Sequence, residues 1–152
     1  MGDFFGSIYC WFEDFFGVEL ANYLWGDTSL EQLDNMFIGI GLSMIILTPV
    51  MVVLYYYVID HPRLSNCFGW IIFLFVNALL NLFIGWQWVL KDFYEGKMVG
   101  KDLITGRIVD LPIDTGNIVA FGFTNALISI IAFIIISFIV KWWSTNSSHV
   151  PF

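Results

Sequence analysis

The sequence predicts an all-α membrane protein: three transmembrane helices at about 36–59, 68–90 and 118–140, preceded by an amphipathic interfacial helix at about 3–24. Three observations carry that prediction. Of the 152 residues, 59% are hydrophobic and 12% charged, against roughly 45–50% and 25% in soluble domains. A soluble fold of this size cannot hide so much apolar surface. Three long runs contain no charged residue, and each exceeds the roughly 20 residues a helix needs to cross about 30 Å of hydrocarbon. Aromatic residues make up 19% of the chain, a bias that suits lipid-facing surfaces and interfacial belts.

The N-terminal segment, 1–35, is acidic and rich in phenylalanine. Wound as one helix, it places Phe4, Phe5, Ile8, Trp11, Phe12, Phe15, Phe16 and Val18 on one half, with Asp3, Gly6, Ser7, Cys10, Glu13, Asp14 and Gly17 on the other. The tetrapeptide Asp-Phe-Phe-Gly occurs at Asp3–Gly6 and again at Asp14–Gly17, about three helical turns apart and so on one face. That is an interfacial pattern. Because its polar face is acidic, it gains nothing from an anionic lipid surface, and a protein partner is an alternative dock for the Phe-rich side. A second helix start is expected at Asp27-Thr28-Ser29, with Glu31 and Gln32 as capping-box partners. No signal peptide is expected, since no Lys or Arg precedes an apolar run that is itself broken by Glu13, Asp14 and Glu19.

The first span contains Pro49, which removes one helical hydrogen bond and is expected to kink the helix, with Thr48 positioned to satisfy part of the freed backbone. A tight turn at 60–67, carrying His61 and Pro62, makes spans one and two antiparallel neighbours. The polar link 91–117 carries Gly96, Gly100, Gly106, Pro112 and Gly116 as turn signals, and Leu103–Val109 reads as a small hairpin. The tail 144–152 is a polar exit behind Trp142 and Trp143. With Trp86, Trp88 and the Tyr55–Tyr57 run, these tryptophans fit interfacial belts. The whole chain reads as a single membrane domain. Lys91, Lys97, Lys101 and Arg107 stand on one side against Arg63 and Lys141 on the other. The positive-inside rule then puts the 91–117 link and the N-terminus in the cytoplasm.

The function classes narrow accordingly. A net charge of −7 with only six basic residues argues against nucleic acid, whose phosphates demand clustered cations. Cys10 and Cys67 form no Cys-x-x-Cys pair and read as small buried hydrophobes. His61 and His149 lack the companions that metal binding or catalysis requires. There is no phosphate-binding glycine loop and no serine, cysteine or carboxylate with a base placed beside it. Neither an enzyme nor a cofactor is indicated, and no catalytic or metal site is expected.

The polar residues inside the spans remain. Spans two and three share Phe-x-Phe-x-Asn-Ala-Leu, at Phe73–Leu79 and Phe121–Leu127, which sets Asn77 and Asn125 within the hydrocarbon. Asn81 and Ser129 follow one turn later, so each helix presents a polar ridge at i and i+4. One reading is that these groups bond across helices and lock the bundle. The chain is then a small polytopic subunit that self-associates or scaffolds a larger complex in the bilayer, docking a partner through its N-terminal Phe-rich helix. The other is that they line a polar path through an oligomer. Asp27, Glu31 and Asp34 would then form an acidic vestibule of a cation-leaning channel.

Overall fold

In the computed structural model the described residues are 2–26, 35–58, 67–101 and 107–142. The capping signal at Asp27-Thr28-Ser29, the acidic residues Glu31 and Asp34, the turn residues His61 and Pro62, and Trp143 with the tail and His149 lie outside them. The fold is all-α in its spans, as expected. Its elements in order are α1 (Gly2–Cys10), α2 (Glu13–Phe16), α3 (Val18–Trp25), α4 (Met36–Val53), a π-helical turn (Leu54–Val58), α5 (Cys67–Tyr94), β1 (Val99–Lys101), β2 (Ile108–Asp110) and α6 (Thr115–Lys141). Three helices are long and apolar enough to cross a membrane: Met36–Tyr57, Cys67–Tyr94 and Thr115–Lys141.

These spans follow the apolar runs but overrun them where capping chemistry allows. The second continues past Leu90 because nothing stops a helix before Gly96. There φ reaches +66°, and the amides of Gly96 and Lys97 donate to the carbonyls of Phe93 and Asp92, the paired bonds of a Schellman stop. The third begins at Thr115 rather than 118 because Asp114 and Asn117 cap it reciprocally. The Asn117 N–H donates to Asp114 Oδ1 at 2.8 Å, and the Asp114 N–H donates to Asn117 Oδ1 at 3.2 Å. Pro49 sits inside α4, and the helix widens to π geometry one turn further on, a common accommodation of an interrupted bonding ladder. Thr48 does not take the role expected of it. Its hydroxyl is fully buried and has no hydrogen-bond partner.

The N-terminal segment is helical but broken, into α1, α2 and α3. The second break falls at Gly17, whose φ of +100° only glycine adopts without strain. Because each break re-aims the helix, the apolar half expected from a continuous winding is divided. Phe5 and Phe16 turn inward with Tyr9, whereas Phe4, Trp11, Phe15 and Val18 are exposed. A two-stranded antiparallel hairpin does form in the polar link, pairing Val99 with Asp110 and Lys101 with Ile108. Its first strand lies N-terminal to the Leu103–Val109 segment expected for it, its second overlaps that segment at Ile108 and Val109, and residues 102–106 between them are not among the described residues.

The chain forms two compact units, Met1–Leu42 with Leu82–Thr124, and Ser43–Asn81 with Asn125–Phe152. The first is organised by rings. Tyr9 stacks on Phe37 at 5.1 Å between centroids and meets Phe121 at 5.5 Å, Phe16 packs edge-on to Phe121, and Trp25 edge-on to Phe37. Such pairs contribute about 0.5–1.5 kcal/mol each beyond simple burial. Glycines let the partners close up: a Cβ on Gly41 would strike the Phe5 ring, and one on Gly6 the Trp25 ring. In the second unit Met51, Val52, Tyr55, Tyr56, Trp70 and Phe133 form the core. Tyr55 and Tyr56 are therefore interior residues rather than belt residues, and of the three tyrosines only Tyr57 is exposed. Cys10 is half-buried and Cys67 exposed, so neither is the fully buried hydrophobe expected.

Candidate functional site: a buried amide layer

Asn77, Asn81, Asn125 and Ser129 are all completely buried, together with Thr48. Each carries at least one polar group that an apolar interior penalises unless it is bonded. Asn125 donates through Nδ2 to the main-chain oxygen of Asn81 at 2.6 Å, and Asn77 donates through Nδ2 to the main-chain oxygen of Ser129 at 3.4 Å. As the α5 number falls by four, the α6 number rises by four, so within this unit the two helices run antiparallel with their amides in register. Asn81 Nδ2 turns back along its own helix, donating to the Asn77 carbonyl at 3.0 Å and to Asn77 Oδ1 at 3.3 Å. Ser129 donates its hydroxyl to the Ala126 carbonyl at 2.7 Å. One acceptor, Asn81 Oδ1, has no partner.

The shared heptapeptide behaves alike in both helices. Asn77 and Asn125 are fully buried, Ala78 and Ala126 nearly so, while Phe75, Phe123, Leu79 and Leu127 are exposed. Alanine beside asparagine keeps the inward face narrow enough for the amides to reach the neighbouring backbone. Two turns further along, Trp70 Nε1 donates to Ser137 Oγ at 3.3 Å. Neither residue stands out in sequence as polar pairing, because the indole lies in an apolar run and the serine follows a run of isoleucines.

In the first unit a second polar residue escapes sequence reasoning. Asn117 uses one side chain for two purposes: Oδ1 closes the α6 cap, and Nδ2 donates to the Phe16 carbonyl at 2.8 Å. The α2–α3 break is thus bonded to the start of the third span, and a Cβ on Gly17 would sit 2.5 Å from that Nδ2. Tyr23 on α3 donates its hydroxyl to Asp92 Oδ2 at 3.3 Å. Burial and the neighbouring Asp92 carboxylate push the phenol up to about 12. Lys97 reaches both Asp92 and Glu95, and Lys91 lies 3.9 Å from Glu95. The bond from Lys97 holds the Glu95 carboxyl below its ordinary value, while Glu95 and then Asp92 hold the Lys97 ammonium above its own. Burial, and then Glu13, push the Cys10 thiol up, away from the thiolate form that nucleophilic or metal chemistry would need.

Chemically, the amide layer is neutral, closed within one chain and able to bind by hydrogen bonds alone. Comparison with family models, with characterised proteins and with solved structures finds no match for this chain.

Proposed function

We propose that this chain is a small integral-membrane subunit that self-associates or scaffolds a larger membrane complex, its own helices locked by the buried amide layer. The observation that carries this reading is the surface the spans leave uncovered. Only 39%, 28% and 39% of the most apolar stretch of the three helices is buried within the chain, so the greater part of each faces outward. Lipid contents part of that surface, and neighbouring helices pack on it where shape permits. Polar chemistry, by contrast, is turned inward and spent on helix contacts.

The channel reading draws less support. A pore-lining side chain must face the axis of an oligomer, whereas Asn77, Asn81, Asn125 and Ser129 are enclosed by their own chain. The proposed acidic ring of Asp27, Glu31 and Asp34 lies outside the described residues. The exposed Phe4, Trp11, Phe15 and Val18 are the side chains of the N-terminal segment offered to the membrane interface or to a partner. In this reading the 91–117 link and the N-terminus are cytoplasmic, following the excess of Lys and Arg in that link.

Native mass spectrometry from nanodiscs tests the proposal. A fixed homo-oligomer or a defined complex with another membrane protein is the expected result. A chain that stays monomeric and unaccompanied in nanodiscs and in mild detergent rules the subunit reading out.

A further inference from the structure

Among the described residues of the second unit, the Thr48 hydroxyl on α4 and Asn81 Oδ1 on α5 are buried without a hydrogen-bond partner. Both residues are completely inaccessible from outside. The Asn81 amide is not simply misoriented, because its Nδ2 already faces two acceptors, the Asn77 carbonyl and Asn77 Oδ1. Rotating it would set oxygen against oxygen. Thr48 likewise forgoes the bond to its own helix that Thr124 makes to the Ala120 carbonyl at 3.1 Å.

The two orphans share a level. The end of α4 and the π-helical turn that follows it pack on the first turns of α5, with the Tyr55 and Phe73 rings 5.5 Å apart, so the two spans run in opposite directions. Seven residues back from Tyr55 is Thr48, and seven forward from Phe73 is Leu80, the neighbour of Asn81. At about 1.5 Å rise per residue, both steps cover the same two turns. Thr48 therefore belongs to the same layer as Asn77 and Asn81 of α5 and Asn125 and Ser129 of α6, and adds a contribution from α4.

An unsatisfied acceptor and an unsatisfied hydroxyl at one depth, in a region with no charged side chain, call for a small neutral molecule that both donates and accepts. We propose that the layer holds one internal water molecule, donating to Asn81 Oδ1 and accepting from the Thr48 hydroxyl. Buried waters typically occupy such sites, where two to four otherwise unpaired polar groups converge. The water makes the polar layer a three-helix unit: the amide bonds from Asn125 to Asn81 and from Asn77 to Ser129 link α5 and α6, and the water ties in Thr48 of α4. The water lies in the interior of one chain, whether or not that chain assembles with others.

The signed test is Thr48→Val, which keeps the shape and removes the hydroxyl. If the water is held, the variant loses a bonded group and its thermal unfolding midpoint in detergent falls, whereas Thr124→Val, which removes only a bond within its own helix, shifts it less. In infrared difference spectra between H2-16O and H2-18O, the intact protein shows a sharp isotope-shifted O–H band that Thr48→Val lacks. A midpoint that rises in Thr48→Val, as expected when a truly orphaned hydroxyl is removed, overturns the proposal, as does the absence of the band from the intact protein. Stabilisation by NaCl that choline chloride does not reproduce, lost in Thr48→Val, overturns it in favour of a bound cation.

Discussion

Asn125 donates its side-chain amide to the main-chain oxygen of Asn81 at 2.6 Å, both residues being closed to outside solvent. That acceptor already belongs to the α5 ladder, so the bond is an addition to the helix rather than a replacement of one of its own. Interhelical bonds of this kind average about 0.6 kcal/mol and reach about 2. Asn125→Leu is expected to lower stability in a denaturing-detergent titration by about 1–2 kcal/mol, combining the lost bond with the strain of a larger side chain in the layer. Asn77→Leu, whose cross-helix bond is 3.4 Å long, should cost less. Equal or reversed effects would show that the amides are not what pins α5 to α6.

Asn117→Ala removes the half of the α6 cap that the Asn117 side chain makes, leaves the bond from the residue-117 N–H to Asp114 in place, and frees the Phe16 carbonyl in one step. Replacing the N-cap Asp114 itself would cost about 1 kcal/mol, and Asn117→Ala is expected to cost no more than that at the cap. Hydrogen exchange separates the two roles. Asn117→Asp retains an oxygen for the Asp114 N–H but cannot donate to Phe16, so the cap survives while amides around Gly17–Ala21 exchange faster than in the parent. If exchange there is unchanged in both variants, the N-terminal segment is held by its rings alone.

How much of this was legible in the sequence follows from what determines each part. The spans were readable because uncharged apolar length is a one-dimensional property, and Gly96 or Asp114 merely trims the ends. The amide layer was readable because asparagine is rare in hydrocarbon and its i, i+4 spacing fixes a face. The N-terminal segment was less so. Whether Phe15 or Phe16 turns inward depends on the break at Gly17 and on the Phe121 ring, supplied by a distant part of the chain, just as Tyr9 depends on Phe37 and Phe121. Trp70, Asn117 and Ser137 were hidden for the same reason: their partners are set by packing, which no local pattern records.

Raising the pH offers a test of the Tyr23–Asp92 contact. A phenol held above its ordinary value near 10 binds its proton more tightly in the folded protein than in the unfolded chain. Its contribution is therefore fully present below pH 10 and is lost as the pH rises from 10 through about 12. Subtracting the ultraviolet titration of Tyr23→Phe from that of the parent should isolate a tyrosinate transition centred near 12, and Asp92→Asn should move that transition downward. A difference curve centred at 10 would mean that Tyr23 is neither buried nor bonded as described.

Gly122 tests whether the packing of α5 on α6 is as close as it looks. A Cβ there would lie 3.1 Å from the Leu82 carbonyl oxygen and 3.1 Å from Trp86 Cβ. The first of these is backbone, which cannot swing aside as a side-chain tip can, so the helices must separate or the new side chain must strain. Gly122→Leu is expected to destabilise the protein by about 1–3 kcal/mol, the usual range for overpacking a close contact. Phe123→Leu, one residue on, alters a ring that faces outward and should leave the unfolding midpoint nearly unchanged in detergent. If the two variants behaved alike, the close approach at Gly122 would contribute nothing to the bundle. If only Phe123→Leu were harmful, the outward face of α6 would be engaged in the detergent-extracted protein, and a neighbouring chain would be the group it engages.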